Sequence, residues 1–331
     1  MRLTSIRCLA VLAVGTLTLG GCGTDGGGRT VDTTIRAREV MRVTQPHDKT
    51  GMTLLEGPTF DESGALHVVD VTAPSGAPKV LRIDLDEKTA RTFHTDDRGT
   101  YTSAQFSPHD GRLYLTDFLH GEIVSLAKDG SDPRIFFSGK VDGVQMNPDD
   151  LAFDREGNLY VSDSHGLTEG VEQGRVVRID RGGKKTEVLA KGMAATNGIS
   201  FDVDYEGLWV SELTKNQISY LPIDSKGGRA SRHVAIRVDG GLAETDSIAV
   251  DADGNLYQAL HGRPAMLVFN THGERIATIE IPAPATGLES ATNVAITPGE
   301  TTAYMTVSGP SGGYLYTFEA LAEGIRQSNG G

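Results

Sequence analysis

Apolar and polar positions alternate along this chain in short runs closed by tight turns, and one such run keeps returning. From Phe153 the chain reads FDREGNLYVSD: an apolar residue and an aspartate, a Gly-containing turn, then β-branched and aromatic residues in strand alternation. Related phrases begin at Phe60, Phe106, Phe201, Val250 and Ile296, so successive starts lie 46, 47, 48, 49 and 46 residues apart. After each comes a second strand ending in a polar turn, as in VLRIDLDEKT and VVRIDRGGKK, and usually a further short apolar run such as Glu187–Ala190. About four strands per unit, repeated six times at one period, predict an all-β fold, a six-bladed β-propeller. A sandwich of hairpins has no reason to hold the period.

The last unit lacks its outer strand: after Tyr314–Phe318 the chain nearly ends. Residues Ile35–Val43 precede the first unit with no other evident task. They are expected to pair with the sixth blade as its outermost strand and clasp the ring.

The N-terminus changes the picture of where the chain works. Arg2 and Arg7 precede an apolar run from Cys8 to Leu19, followed by Gly20-Gly21-Cys22, the pattern of an export signal. Leu19-Gly-Gly-Cys22 looks like a bacterial lipobox, which predicts cleavage before Cys22 and acylation of its sulfur. Residues 1–21 are read as a lipoprotein signal peptide, 22–34 as a Gly-rich tether, and 35–325 as the propeller domain. Acyl chains would hold the protein on the outer side of the cytoplasmic membrane. Cleavage leaves Cys22 as the sole cysteine, so the domain has no disulfide. It also removes two positive charges and no acid, taking the net charge from −13 to −15. So acidic a chain is a poor nucleic-acid binder.

Four residues before each repeat start stand Glu56, Thr102, Asp149, Asn197, Asp246 and Thr292. In a propeller these form a ring at one mouth of the central channel. Three carboxylates there cannot all ionise at short range unless something offsets them, and a divalent cation does so economically. The donors are hard oxygens with no His or Cys in the register, which suits calcium and argues against zinc; magnesium, stricter in geometry, is the alternative. The competing interpretation gives each residue a strand-capping hydrogen bond. Asp150, beside a ring residue, would orient that ligand or bond an inner strand. His109, His120, His165 and His261 fall in or after turns, with His165 and His261 placed to wall a pocket. Glu169 could overhang the mouth.

The phrases Leu55-Glu-Gly-Pro58, Asp149-Asp-Leu-Ala-Phe-Asp154, Thr196-Asn-Gly-Ile199 and Thr245-Asp-Ser-Ile248 resemble the signature of the superfamily of senescence marker protein (regucalcin), gluconolactonase and the luciferin-regenerating enzyme. The likeness runs over residues 54–320 and stands nearest to the bacterial drug-responsive lactonases. It implies a six-bladed propeller with a catalytic divalent cation, usually calcium, on Glu56, Asp149, Asn197 and Asp246. It also implies Asp246 as general base and Ser247 as the serine beside the last ligand. The related diisopropylfluorophosphatase has a His where Ala295 stands nearest here, with Asn293 two before it, which weakens any transfer of organophosphate hydrolysis. The expected activity is hydrolysis of a lactone or related cyclic ester by a monomer acting on a small molecule. Two rivals are a non-enzymatic surface lipoprotein, binding through the propeller face with calcium as a structural pin, and a lyase or isomerase using the same cation.

Overall fold

The computed structural model describes residues 32–168, 170–223, 231–282 and 286–330. The leader, Cys22 and Glu169 lie outside the described residues. Within them the chain is a six-bladed β-propeller of antiparallel meanders. The inner strands are Leu55–Phe60, Tyr101–Phe106, Pro148–Phe153, Thr196–Phe201, Glu244–Val250 and Ser290–Ile296. Each packs on the next, and the last packs on the first, which closes the ring.

The recurring phrase follows from two demands. Its apolar first residue is a wedge between blades: Phe60, Phe106, Phe153, Phe201, Val250 and Ile296 each sit in a different one of six buried clusters, one cluster per gap. Edge-on aromatic pairs join neighbouring blades there, Tyr114 with Phe153 at 5.2 Å and Tyr160 with Phe201 at 4.9 Å between ring centres. The aspartate that follows makes the turn. Asp154 Oδ1 accepts from Glu156 N and Asn158 N, and Asp251 Oδ1 from Asp253 N and Asn255 N. Gly157 then takes φ +83°, where a Cβ would stand 2.5 Å from His109 Cβ of the preceding blade. That contact places His109 at the face opposite the carboxylate ring.

The N-terminal clasp is present but divided. Arg38–Thr44 pairs antiparallel with Gly312–Glu319 and completes blade six. Thr33–Arg36 instead adds a fifth, parallel strand to blade five, on Arg275–Glu280. The change of partner falls at Ala37, fully buried with its N–H on Glu280 O. Ile35 and Arg36 therefore leave the strand predicted for them, and the strand they join starts at Thr33, inside the stretch read as tether.

The C-terminus also extends past 325. A turn at Arg326–Ser328 stops the channel at the end away from the carboxylate ring. Asn329 O accepts from Phe60 N, Arg326 Nη1 donates to Phe106 O, Gln327 O accepts from Ser200 Oγ, Ser328 Oγ donates to Val250 O, and Asn329 Nδ2 to Val294 O. Five blades are tied by one short segment, in which Gln327 and Ser328 are buried and whose polar groups satisfy strand ends hidden from water.

Candidate metal centre

The six ring positions share one backbone irregularity. Pairing of inner with second strand breaks between Glu56 and Thr59, Tyr101 and Ala104, Pro148 and Leu151, Thr196 and Ile199, Thr245 and Ile248, and Ala291 and Asn293. A bulge frees residues from the ladder and re-aims their side chains; here it does so at one level around the channel. Two ring residues are followed by glycines that let the next inner strand come close. A Cβ on Gly57 would lie 2.6 Å from Ala104 N, and one on Gly198 2.5 Å from Ile248 N.

The ring then divides by chemistry. Thr102 Oγ1 donates to Asp149 O at 2.7 Å, and Thr292 Oγ1 to Leu55 O at 2.6 Å, each stapling its blade to the next. These two take the strand-capping role. Glu56, Asn197 and Asp246 are buried and Asp149 half-buried, and the carboxylates sense one another. Burial, then the charges of Asp246, Asp149 and Asp150, holds the Glu56 carboxyl well above its usual range. Burial, then Asp246 and Asp150, does the same to Asp149. Glu56 Oε2 is buried without any hydrogen-bond partner, an arrangement costly for a lone carboxylate. Among the described residues no three His, Cys, Asp or Glu side chains are drawn together tightly enough to hold a metal between them as they stand. Repelling carboxylates have no reason to close on one another without a cation, and one of the four predicted donors is the carboxamide of Asn197. The donor set, the orphaned Glu56 oxygen and the suppressed acidity fit a divalent cation that prefers oxygen.

The neighbours orient these groups. Asp246 Oδ1 accepts from Ser247 N at 3.1 Å, and its Oδ2 lies 3.5 Å from His261 Nδ1. That contact raises the imidazole's pKa. Asp246 O is pinned by Ser211 Oγ at 2.7 Å and Gln258 Nε2 at 2.9 Å. Ser247 Oγ reaches Asn197 Oδ1 at 3.4 Å. Ser164 Oγ, buried beside Asp149, favours its ionised form without closing a hydrogen bond of ordinary geometry. Ser164 and His261 each stand 15 residues after a ring carboxylate, at the end of a second strand. The sequence holds that spacing, but only the fold shows that it points back at the carboxylate.

Asp150 takes the second of its two expected roles. Its Oδ1 accepts from Ser103 Oγ at 2.5 Å and Leu151 N at 2.8 Å, and its Oδ2 from Ile199 N at 3.2 Å. It binds three inner strands together, and burial pushes its pKa up to about 6. The histidines separate likewise. His261 reaches the ring, whereas His165 lies 3.1 Å from Asp163 and His120 2.9 Å from Asp117, both buried carboxylates outside the ring. Asp163 is committed to Arg175 Nε at 2.6 Å and Asn147 N at 2.6 Å.

A closed six-bladed propeller with a carboxylate and carboxamide ring at one mouth and a plug at the other defines the class. The chain belongs to the SMP-30/gluconolactonase/LRE-like family, whose model matches residues 54–309. It is 27% identical over 286 residues to the lactonase drp35 of Staphylococcus saprophyticus, covering 82% of this chain and 84% of that one. Among solved structures it resembles the calcium-binding protein regucalcin of Agrobacterium tumefaciens, with a TM-score of 0.70 at 17% identity over 89% of this chain and 99% of that one. A gluconolactonase of Xanthomonas campestris gives 0.67 at 20% identity, over 86% and 89%. At those identities the structural likeness is one of fold.

Proposed function

We propose that this chain hydrolyses a lactone or related cyclic ester with the help of a divalent cation, calcium by the chemistry of its donors, and with Asp246 as general base. One observation carries the chemistry: Asp149, Asn197 and Asp246 leave the strand ladder, and Glu56 stands at the edge of the same break, at one level of the channel, with a Glu56 oxygen buried and unbonded. Family membership and the similarity to a lactonase support the substrate class; the fold alone would not.

Glu56, Asp149, Asn197 and Asp246 would hold the ion. When bound, it offsets the carboxylates' repulsion and polarises the substrate carbonyl. The backbone of Asp246 is fixed by Ser211 and Gln258, and its Oδ1 by Ser247 N–H, so its carboxylate has a set direction at the mouth. It takes a proton from water as the water oxygen bonds to the acyl carbon. The acyl–oxygen bond of the ring breaks, the proton passes to the departing alkoxide, and the product is the open hydroxy acid. Ser247 steadies the Asn197 carboxamide, and Asp150 holds three inner strands in register beneath the site.

The test is a panel of lactones assayed with and without chelator. Turnover that chelator abolishes and calcium restores supports the reading. No turnover of any lactone or ester, with calcium still raising the melting temperature, makes the cation a structural pin and the propeller a binding module. Export and anchoring through Cys22, with 1–21 as signal peptide and 22–31 as part of the tether, belong to the same reading. Cys22→Ser should then carry no fatty-acid label, and a labelled variant would refute it.

A further inference from the structure

Eight large apolar side chains are exposed among the described residues, and five of them stand on loops at the carboxylate end of the propeller: Leu119, Val144, Leu167, Val171 and Leu242. Leu119 and Leu242 are 69% and 105% exposed, so neither is a residue half-turned into the core. The other three, Ile135, Val234 and Leu321, lie on outer strands or at the plugged end. Scattered single leucines on a surface need no explanation; five gathered at one end of a ring do.

These residues stand on four loops, which join into one arc over blades two to five. The Leu119 turn abuts the hairpin that carries Val144, since a Cβ on Gly121 would lie 2.4 Å from Gln145 Nε2 and from Met146 O. Beyond that hairpin, Asn147 is bonded to Asp163 and Ser164, where the loop of Leu167 and Val171 begins. Glu172, next to Val171, forms an ion pair with Lys215 of blade four. Asn216 then donates to Ala243 O, at the root of the loop bearing Leu242. The arc borders the mouth where Asp149, Asn197 and Asp246 stand, and Leu242 is only four residues from Asp246. A polar ring at the mouth of the channel with an apolar lip on one side suits a molecule of the same build.

We infer that the lip receives the hydrocarbon part of the substrate, so that the preferred lactones carry an alkyl or other apolar substituent on the ring. This rests on the lactone-hydrolase reading and narrows it. The polar carbonyl end enters the carboxylate ring, and the tail lies along the Leu119–Leu242 arc. Contact with the tail is the same in ground and transition states, so it lowers KM more than it raises kcat.

The experiment measures kcat/KM of the calcium-loaded protein on γ-lactones with side chains lengthened from none to octyl. The wild type should gain about threefold per methylene until the arc is spanned. In the combined variant Leu119→Ser, Leu167→Ser, Leu242→Ser that slope should fall to half or less, with the loss in KM. Turnover of lactones without dependence on chain length overturns the inference and leaves the lactonase reading standing. So does a slope that the three substitutions do not change. Co-sedimentation with phosphatidylcholine vesicles that the triple variant abolishes, with no chain-length slope, would assign the lip to a bilayer instead. If no lactone of any length is turned over, the reading beneath falls and this inference with it.

Discussion

Asp150 separates a residue that builds the site from one that performs chemistry in it. It is buried next to the ring residue Asp149, yet its oxygens serve Ser103 Oγ, Leu151 N and Ile199 N, groups on three blades. Asp150→Ala and Asp150→Asn both remove its charge, so the difference between them isolates the hydrogen bonds. The asparagine can keep an oxygen toward Ser103 and Leu151 and loses the acceptor facing Ile199 N. The alanine orphans all three donors, the Ser103 hydroxyl, Leu151 N and Ile199 N. Each buried donor left unpaired costs about 1–3 kcal/mol, and alanine strands two more than asparagine does, so it should be less stable by about 2–6 kcal/mol. At about 2–4 °C per kcal/mol, the alanine variant should melt lower by roughly 4–24 °C. The assay is thermal unfolding by circular dichroism in chelator, which removes any contribution from metal affinity. Two variants that melt together, both without turnover, would refute the stapling role and return Asp150 to the chemistry.

Asp246→Asn keeps an oxygen donor of the same shape and should lose turnover by on the order of 10²–10⁴-fold at saturating calcium. Glu56→Gln should instead recover part of its activity as calcium is raised, and steady-state rates across a calcium series distinguish the two. His67 is fully buried against Phe93 and Phe106, and burial pushes its pKa down to about 4. The unfolded chain therefore binds the extra proton first, so the stability of the neutral imidazole is complete above pH ~6.5 and lost as pH falls toward 4, by up to about 3 kcal/mol. Urea unfolding at pH 7 and 4.5 should show His67→Gln losing less stability on acidification than wild type. Ending the chain at Ile325 removes the plug from five blades and should lower the melting temperature by on the order of 10 °C, with calcium binding at the other mouth still measurable by calorimetry.

The repeat by itself settles the architecture, because each unit must solve the same two local problems. Phe153 and Asp154 show it: the apolar residue wedges between blades and the aspartate folds the turn, and both requirements leave a residue type at a fixed position. The ring was legible for the same reason, since equivalent positions in a propeller meet at the axis. What each ring member does was not legible. Thr102 and Thr292 occupy the register of Asp149 and Asp246, yet spend their hydroxyls on the next blade's carbonyls, and nothing local to a threonine tells a staple from a ligand. Asp150 was equally ambiguous, because its partners Ser103 and Ile199 are 47 and 49 residues away. The division of the N-terminal strand at Ala37 and the return of the C-terminus as a plug join distant parts of the chain, and the turn of His261 toward Asp246 exists only once the two strands of its blade have paired. Strand periodicity reports which face of a segment is apolar; which partner waits on that face is decided only when the ring closes.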